Sequence, residues 1–515
     1  MPAADALRPA AEPHYPPQRG SFPTARQFFA LLLIYFTLQI IFRVLISSSL
    51  DLDESEQLVL TQKLSWGYGS QPPLYTWIQF LFFHVFGLSV FGLSLLKNIL
   101  LFGTYLFTYL NARFITRSQA CAMSAAASLL FIPQIAWESQ RDLTHSVLSA
   151  TMVCATLFCF LQLHARPSLR RYALFGLCAG LGVLSKYNFL LPLAALVIAT
   201  LCTRQFRRLI LDKRILLAGL IAALIVLPNA LWALAHPHLA LRAAGKFKIQ
   251  EANEWLRAIV SGVKGLVYCS ITFFAAFGVL YAIIFFKRPA ANASATKNEY
   301  ATLLLRMLGI SYALIVLAIV VFRISDIRDR WLQPILILSP VLVIALLRDR
   351  LNATRLKVIL ALAGAVMVAV TVALHGRIIW AERLHRTQPW NRPYDALAKQ
   401  LKGAISQDPV VITDTTLMAG NLRINLPDKI FSPPDLARLF VETNAPVALV
   451  WDAGGDPAAR RSARNQSRDW PPPDNLGEFA DQIGMKLDPS QAHYFSATFK
   501  FHKTRQMRIG VVSEK

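Results

Sequence analysis

The chain is short of charge. Only 16% of its 515 residues are Asp, Glu, Lys or Arg, against about 25% in an average soluble domain. Acids are scarcer still: 30 Asp and Glu stand against 53 Lys and Arg, a net charge of +23. The six cysteines (Cys121, Cys154, Cys159, Cys178, Cys202 and Cys269) sit in apolar stretches with no CxxC or zinc spacing, which leaves them as ordinary helix residues. No glycine-rich nucleotide loop or Walker motif is present, so nothing is built to cradle a nucleotide's phosphates. Strict polar–apolar alternation is missing too, which excludes a transmembrane barrel. The N-terminus lacks the basic-then-apolar pattern of a cleaved signal.

What fills the chain is apolar: 55% hydrophobic residues and a mean hydropathy of +0.42. The apolar residues gather in runs long enough to cross a ~30 Å hydrocarbon core as helices. The expected spans are Phe28 to Leu50, Leu93 to Leu110, Ala120 to Ala136 and Leu143 to Leu163. Ala173 to Leu184 and Phe189 to Leu201 follow as a short, tight pair. Ile215 to Leu234, Val263 to Phe286, Leu303 to Phe322, Trp331 to Leu347 and Val358 to Leu374 bring the count to about eleven.

Five basic loops then fall on one side: those carrying Arg113, Arg166, Arg204, Lys287 and Arg348. By the positive-inside rule that side is the cytoplasm, shared with a polar, Pro-rich tail over residues 1–26. The excess of Lys and Arg is read as topology-setting and headgroup contact, not as a nucleic-acid surface. Leu74 to Gly87 is apolar enough for a span, but counting it breaks the charge rule. It is read as an amphipathic helix along the outer membrane face. The membrane region therefore covers residues 27–376, with a large outer loop over 51–92. After Trp380 the chain turns polar. Three β-like runs (Pro409 to Asp414, Ala445 to Trp451, Met507 to Val512) alternate with helix-like stretches at Tyr394 to Leu401 and Leu476 to Ile483. This is the pattern of a small α/β domain over 377–515, outside the cytoplasm.

The outer loop opens Asp51-Leu-Asp-Glu-Ser-Glu56, four acids in six residues directly after a span. A solvated loop repelled by the inner leaflet is the plain reading; acids kept at a lipid boundary for use is the sharper one. The loop continues Trp66-Gly-Tyr-Gly-Ser-Gln-Pro-Pro-Leu-Tyr-Thr-Trp77, whose Pro72 and Pro73 suit the start of a helix. The order Asp53-Glu54, Trp66-Gly-Tyr68, Gln71-Pro-Pro-Leu-Tyr-x-Trp77 resembles the first outer loop of the bacterial polyprenyl-phosphate-sugar-dependent glycosyltransferases of GT-C fold. That family includes the dolichyl-phosphate-mannose protein mannosyltransferase-like enzymes, the lipid A aminoarabinose transferases and the rhizobial lipopolysaccharide galacturonosyltransferases. The organisation matches over roughly the first 350 residues, most specifically over Asp53 to Trp77. Many members carry Lys where this chain has Gln71, which leaves the sugar open.

The resemblance implies an all-α polytopic inner-membrane enzyme of a bacterium with a small outer α/β domain. It would move a sugar from a polyprenyl phosphate to a lipid A, lipopolysaccharide, glycan or protein acceptor. It places Asp53 at the reaction centre with Glu54 beside it, as base or orienting carboxylate for the acceptor hydroxyl. Asp142, in Glu138-Ser-Gln-Arg-Asp-Leu-Thr-His145, matches a second acid; a helix N-cap is its plain reading. A leaving polyprenyl phosphate calls for cations at the outer boundary. Lys186 interrupts the short apolar pair, and Arg328 and Arg330 precede a Pro-containing span. Lys246 lies in a long outer loop. Against these stand snorkelling for Lys186, pairing with Asp326 and Asp329 for the arginines, and plain solvation for Lys246. Gln71 and Tyr75 are expected to line the sugar site.

No cofactor is specified and no metal site is assigned. His236-Pro-His238 fits no strong ligand spacing, although a divalent ion stays open because some relatives use one. The competing class is a transporter or lipid flippase. Internal repeats typical of transporters are not seen, and the acids fall at span ends instead of mid-span. A non-catalytic scaffold is the third reading.

Overall fold

The computed structural model describes residues 23–240, 254–286, 298–407, 409–440, 446–454, 472–485 and 491–513. Within them, seven helices are long and apolar enough to cross a membrane: Ala25–Ile46, Val90–Thr116, His145–Ala165, Ile215–Ala235, Trp255–Phe285, Glu299–Phe322 and Ala353–Ile379. Two bent helix pairs raise the number to nine when each counts as one span. The expected run at Ala120 to Ala136 is one of them, Gln119–Phe131 with Gln134–Arg141, bent by 75°. Its cause is local: Pro133 removes an N–H, a 3₁₀ turn precedes it, and a π-helical turn, Gln134–Glu138, follows. The run at Trp331 to Leu347 is the other, Asp329–Leu336 with Ser339–Leu346, bent by 48° ahead of Pro340.

The expected tight pair is corrected by the packing. Leu169–Ser185 lies against Ile215–Ala235 and His145–Ala165, whereas the following apolar helix, Tyr187–Leu201, lies against Glu299–Phe322. Gly176 and Gly180 explain the first choice. A Cβ at either would meet the backbone of Ala218 or Ala222, at 2.3 and 3.0 Å. Small residues four apart let membrane helices approach backbone to backbone. The first span also ends earlier than its hydropathy suggests. It stops at Ile46, where the Arg43 guanidinium donates to the carbonyls of Ser47 and Ser49.

Two shorter helices follow it. Leu52–Leu60, the acidic helix, starts at Asp51, which forms a capping box with Glu54. Leu74–Phe86 starts after Pro73 as expected. At 13 residues it extends only about 20 Å, too short to span. Tyr75, Thr76, Gln79 and Phe83 are turned inward, and Leu81, Val85 and Phe86 are exposed.

The C-terminal region holds a five-stranded sheet of order β2-β1-β3-β5-β4. The strands are β1 (Val410–Thr413), β2 (Ile430–Ser432), β3 (Val447–Asp452), β4 (His493–Thr498) and β5 (Gln506–Ser513). β1 pairs parallel with β2 and β3; β5 pairs antiparallel with β3 and β4. This sheet does not hang free of the membrane part. Val59, Leu60 and Tyr68 of the outer loop share one apolar cluster with Tyr394, Leu401, Met418 and Phe431. Helix Thr416–Arg423 lies directly on the acidic helix. Gly420 permits it, since a Cβ there would stand 2.3 Å from the Ser55 carbonyl oxygen. Asn421 then donates to Ser55 Oγ at 3.0 Å and accepts from the Leu50 N–H at 2.7 Å.

Candidate active site

A cavity of about 590 Å³ opens where the acidic helix, the break at Lys186, the Arg330 segment and the C-terminal sheet region converge. Asp53, Gln71, Lys186 and Arg330 all line it, though they stand far apart in sequence. Glu56, Ser146 and Asn188 add polar groups, and Ile315, Ile319 and Ile335 make part of the wall apolar. Thr416 and Leu436 bring the C-terminal region into the same wall.

Each polar side chain is held. Asp53 occupies the first turn of the acidic helix, where a carboxylate is favoured by the helix dipole. Its own N–H donates to Asp142 Oδ1 at 2.8 Å, and its Oδ2 accepts from the Thr144 N–H at 3.4 Å. Lys186 is buried and donates to Ser146 Oγ at 2.6 Å and to the Arg330 carbonyl at 3.5 Å. Burial pushes its ammonium down to about 8, against the pull of Asp53 and with the help of Arg330's charge. Asn188 donates to the Trp331 carbonyl at 2.9 Å, which fixes the Arg330 segment to the Lys186 break. No carboxylate among the described residues pairs with the Arg330 guanidinium, which leaves its fork for another anion.

Asp142 does not cap the helix that follows it; Thr144 holds that position. It caps the acidic helix instead, across the chain, through the Asp53 N–H. Burial, then the charges of Asp53 and Asp51, push its carboxyl up to about 8.

Besides Asp142, which meets Asp53 without lining the cavity, three expected site residues lie elsewhere. Glu54 is buried away from the cavity, between Arg43 at 2.7 Å and Lys97 at 3.0 Å. Burial works against its charge, but the two cations hold it down at about 2. Its adjacency to Asp53 in sequence is undone by the helix, which turns successive side chains about 100° apart. Tyr75 is fully buried against the His145 ring, 5.4 Å between centroids, and is not part of the cavity wall. Arg328 pairs with Asp326 at 3.5 Å and does not line the cavity. Lys246 lies outside the described residues.

The sequence reading passed over Arg43 and Lys97. Both are charges inside apolar helices, a pattern that signals a buried partner. Lys97 also donates to the Gln140 carbonyl at 3.4 Å, so one ammonium ties the segment carrying Asp53 to the segment carrying Asp142. Among the described residues no three His, Cys, Asp or Glu side chains are grouped to hold a metal ion.

Known proteins resemble this chain over most of its length. The family model of dolichyl-phosphate-mannose-protein mannosyltransferases matches residues 70–232. The lipopolysaccharide core galacturonosyltransferase RgtB of Rhizobium johnstonii is 35% identical over 432 residues, covering 82% of this chain and 86% of that protein. RgtA of the same organism, also a lipopolysaccharide core galacturonosyltransferase, is 34% identical over 436 residues, covering 82% and 85%. Among solved structures, ArnT from Cupriavidus metallidurans bound to undecaprenyl phosphate superposes with a TM-score of 0.58. The alignment covers 95% of this chain and 98% of that one at 14% identity, a likeness of fold. Relatives alike over four fifths of both chains decide between an enzyme and a transporter in favour of the enzyme.

Proposed function

Since this chain belongs to the GT-C family of membrane glycosyltransferases, beside the rhizobial lipopolysaccharide core galacturonosyltransferases, we propose that it transfers a uronic acid from a polyprenyl phosphate to a hydroxyl of lipopolysaccharide. The reaction takes place at the periplasmic face of the inner membrane, with the N-terminus in the cytoplasm and the 377–515 region outside. One observation carries the reading. An acid and two cations from three distant segments, Asp53, Lys186 and Arg330, line one cavity whose remaining wall is largely apolar.

The chemistry follows from those groups. The acceptor oxygen attacks the anomeric carbon as the bond from that carbon to the phosphate oxygen breaks. Asp53 takes the acceptor's proton, or orients the hydroxyl that loses it. Lys186 and Arg330 balance the charge that gathers on the departing polyprenyl phosphate. A single displacement inverts the anomeric centre. Isoleucines from the Glu299–Phe322 helix and the segment after it give the lipid a matching surface. Gln71 is placed to hydrogen-bond the sugar, and Asp142 positions Asp53 through its backbone.

The test uses the purified full chain with a radiolabelled polyprenyl-phosphate galacturonate and lipopolysaccharide stripped of that sugar. Label should pass to the lipopolysaccharide, and the new linkage should have the opposite anomeric configuration by NMR. Transfer from a nucleotide sugar without the lipid carrier, or a retained configuration, would overturn the donor or the displacement respectively.

A further inference from the structure

A second polar cluster, which includes Asp51 and Glu138, lies outside the lining of the cavity. At its centre is Arg377, in the last turn of helix Ala353–Ile379. Its guanidinium carbon stands 5.0 Å from the ring centre of Trp137 and 5.9 Å from that of Trp390. Two other arginines share the neighbourhood and both are engaged. Arg43 lies over the Trp390 ring at 4.1 Å but is ion-paired with Glu54. Arg141 bridges Asp51 at 3.1 Å and Glu138 at 2.7 Å. Arg377 makes one hydrogen bond, from Nε to the Leu374 carbonyl at 3.3 Å, and no carboxylate among the described residues pairs with it.

A half-buried guanidinium stacked on aromatic rings, with both terminal nitrogens unused, is a receptor for planar or tetrahedral anions. Buried Trp390 helps hold it in place, and half-buried Trp137 gives a flat apolar surface beside it. Trp137 is presented there by the π-helical turn Gln134–Glu138, a backbone form often kept at functional sites. The same short segment runs on to Asp142, whose carboxyl meets the Asp53 N–H. Neither Arg377 nor Trp137 lines the cavity that holds Lys186 and Arg330.

We propose that Arg377, between Trp137 and Trp390, binds a carboxylate or phosphate of the acidic acceptor saccharide. This inference rests on the transferase reading above. It separates the two substrates: the lipid-linked donor takes the cations of the cavity, and the acceptor takes Arg377.

The experiment measures initial rates of the full-length enzyme in zwitterionic nanodiscs, varying donor and acceptor separately. Arg377→Gln should raise the acceptor KM about tenfold and leave the donor KM and kcat within about twofold, with Arg377→Lys intermediate. Trp137→Leu should raise the acceptor KM in the same direction, and it carries the test if Arg377→Gln does not purify folded. An unshifted acceptor KM in an active enzyme overturns this inference alone. So does an equal rise in donor KM. A shift seen only after anionic phospholipid is added assigns Arg377 to bulk headgroups and also overturns it. A wild type inert toward every lipid-linked donor overturns the transferase donor reading and this inference together.

Discussion

The Asp53 N–H donates to Asp142 Oδ1 at 2.8 Å, so these two acids meet through a backbone group and not as a matched pair of carboxylates. The Asp142 carboxyl, pushed up to about 8 by burial and by two neighbouring acids, is mostly protonated at neutral pH. Asn reproduces both its shape and its acceptor oxygen. Asp142→Asn should therefore keep kcat within about threefold, whereas Asp142→Ala, which loses a cap worth ~1 kcal/mol, should lower it about tenfold or more. The sign of the pH effect is fixed as well. A carboxyl raised in the folded state binds a proton that the unfolded chain releases near ~3.9, so folded stability falls as pH climbs from there toward 8. Above 8 the ionised Asp142 crowds Asp53, and kcat should decline. Measured pH profiles check this: the decline in kcat should be absent from Asp142→Asn.

Lys186 produces a different alkaline limb. Its ammonium, pushed down to about 8 chiefly by burial, is lost from the free enzyme above that pH. The limb should appear in kcat/KM for the donor, which reports free-enzyme groups, and should weaken in kcat once donor phosphate holds the proton on. Lys186→Met should raise the donor KM at least about tenfold and abolish the limb. Arg328→Ala, two residues from Arg330 but outside the cavity, should leave the donor KM nearly unchanged. Binding of polyprenyl phosphate to each variant gives the same ranking without turnover.

Much of this molecule is legible in its sequence, for reasons that also mark where legibility stops. Hydropathy locates the long spans because lipid forces each to satisfy its own backbone. It cannot tell a straight span from one bent at Pro133, since both are equally apolar. β1, β3 and β5 are readable as runs of Val and Ile, whereas β2 is three residues long and β4 is a half-exposed edge strand. Lys186 is legible as a lone cation between apolar segments, and Asp53, Gln71 and Arg330 through the family resemblance; all four line the cavity. The residues that do not reach the cavity are set apart by facing. Glu54 beside Asp53, and Arg328 near Arg330, have the right chemistry but are turned away by helix and loop geometry. Asn421, which meets Leu50 from 371 residues away, has no local signal at all.

Glu54 gives the sharpest contrast with Asp53. It compensates both Arg43 and Lys97 in a buried place, so Glu54→Gln leaves two buried cations facing a neutral amide. Breaking a buried ion pair from one side costs about 3–5 kcal/mol. Glu54→Gln should therefore lower the unfolding temperature in detergent, with activity lost in step. Because its carboxyl is held down at about 2, its stabilisation is present above the unfolded value of about 4.3 and fades as pH falls toward 2. Asp53→Asn should do the reverse, keeping the unfolding temperature while kcat drops by about 10²–10⁴. A Glu54→Gln protein as stable as wild type but inactive would place Glu54 in the chemistry after all.

Gly420 decides whether the C-terminal sheet region is a passenger or part of the enzyme. Helix Thr416–Arg423 approaches the acidic helix so closely that a Cβ at 420 would stand 2.3–2.7 Å from the Ser55 backbone. Ser55 is two residues from Asp53, in the same turn, so relief of that contact must move either the acidic helix or the helix that presses on it. The first displaces Asp53 from its hydrogen bond with Asp142. The second withdraws Thr416 from the cavity wall. Either way Gly420→Val should cut kcat by about 10²-fold, as small displacements of a reacting group do. Asn421→Ala removes the hydrogen bonds but not the fit, and should cost less. Steady-state kinetics beside a thermal melt separates the cases: a Gly420→Val enzyme that melts and turns over like wild type would mean that the sheet region only rests on the catalytic loop. Loss of turnover with an intact melt would mean that it sets the position of Asp53.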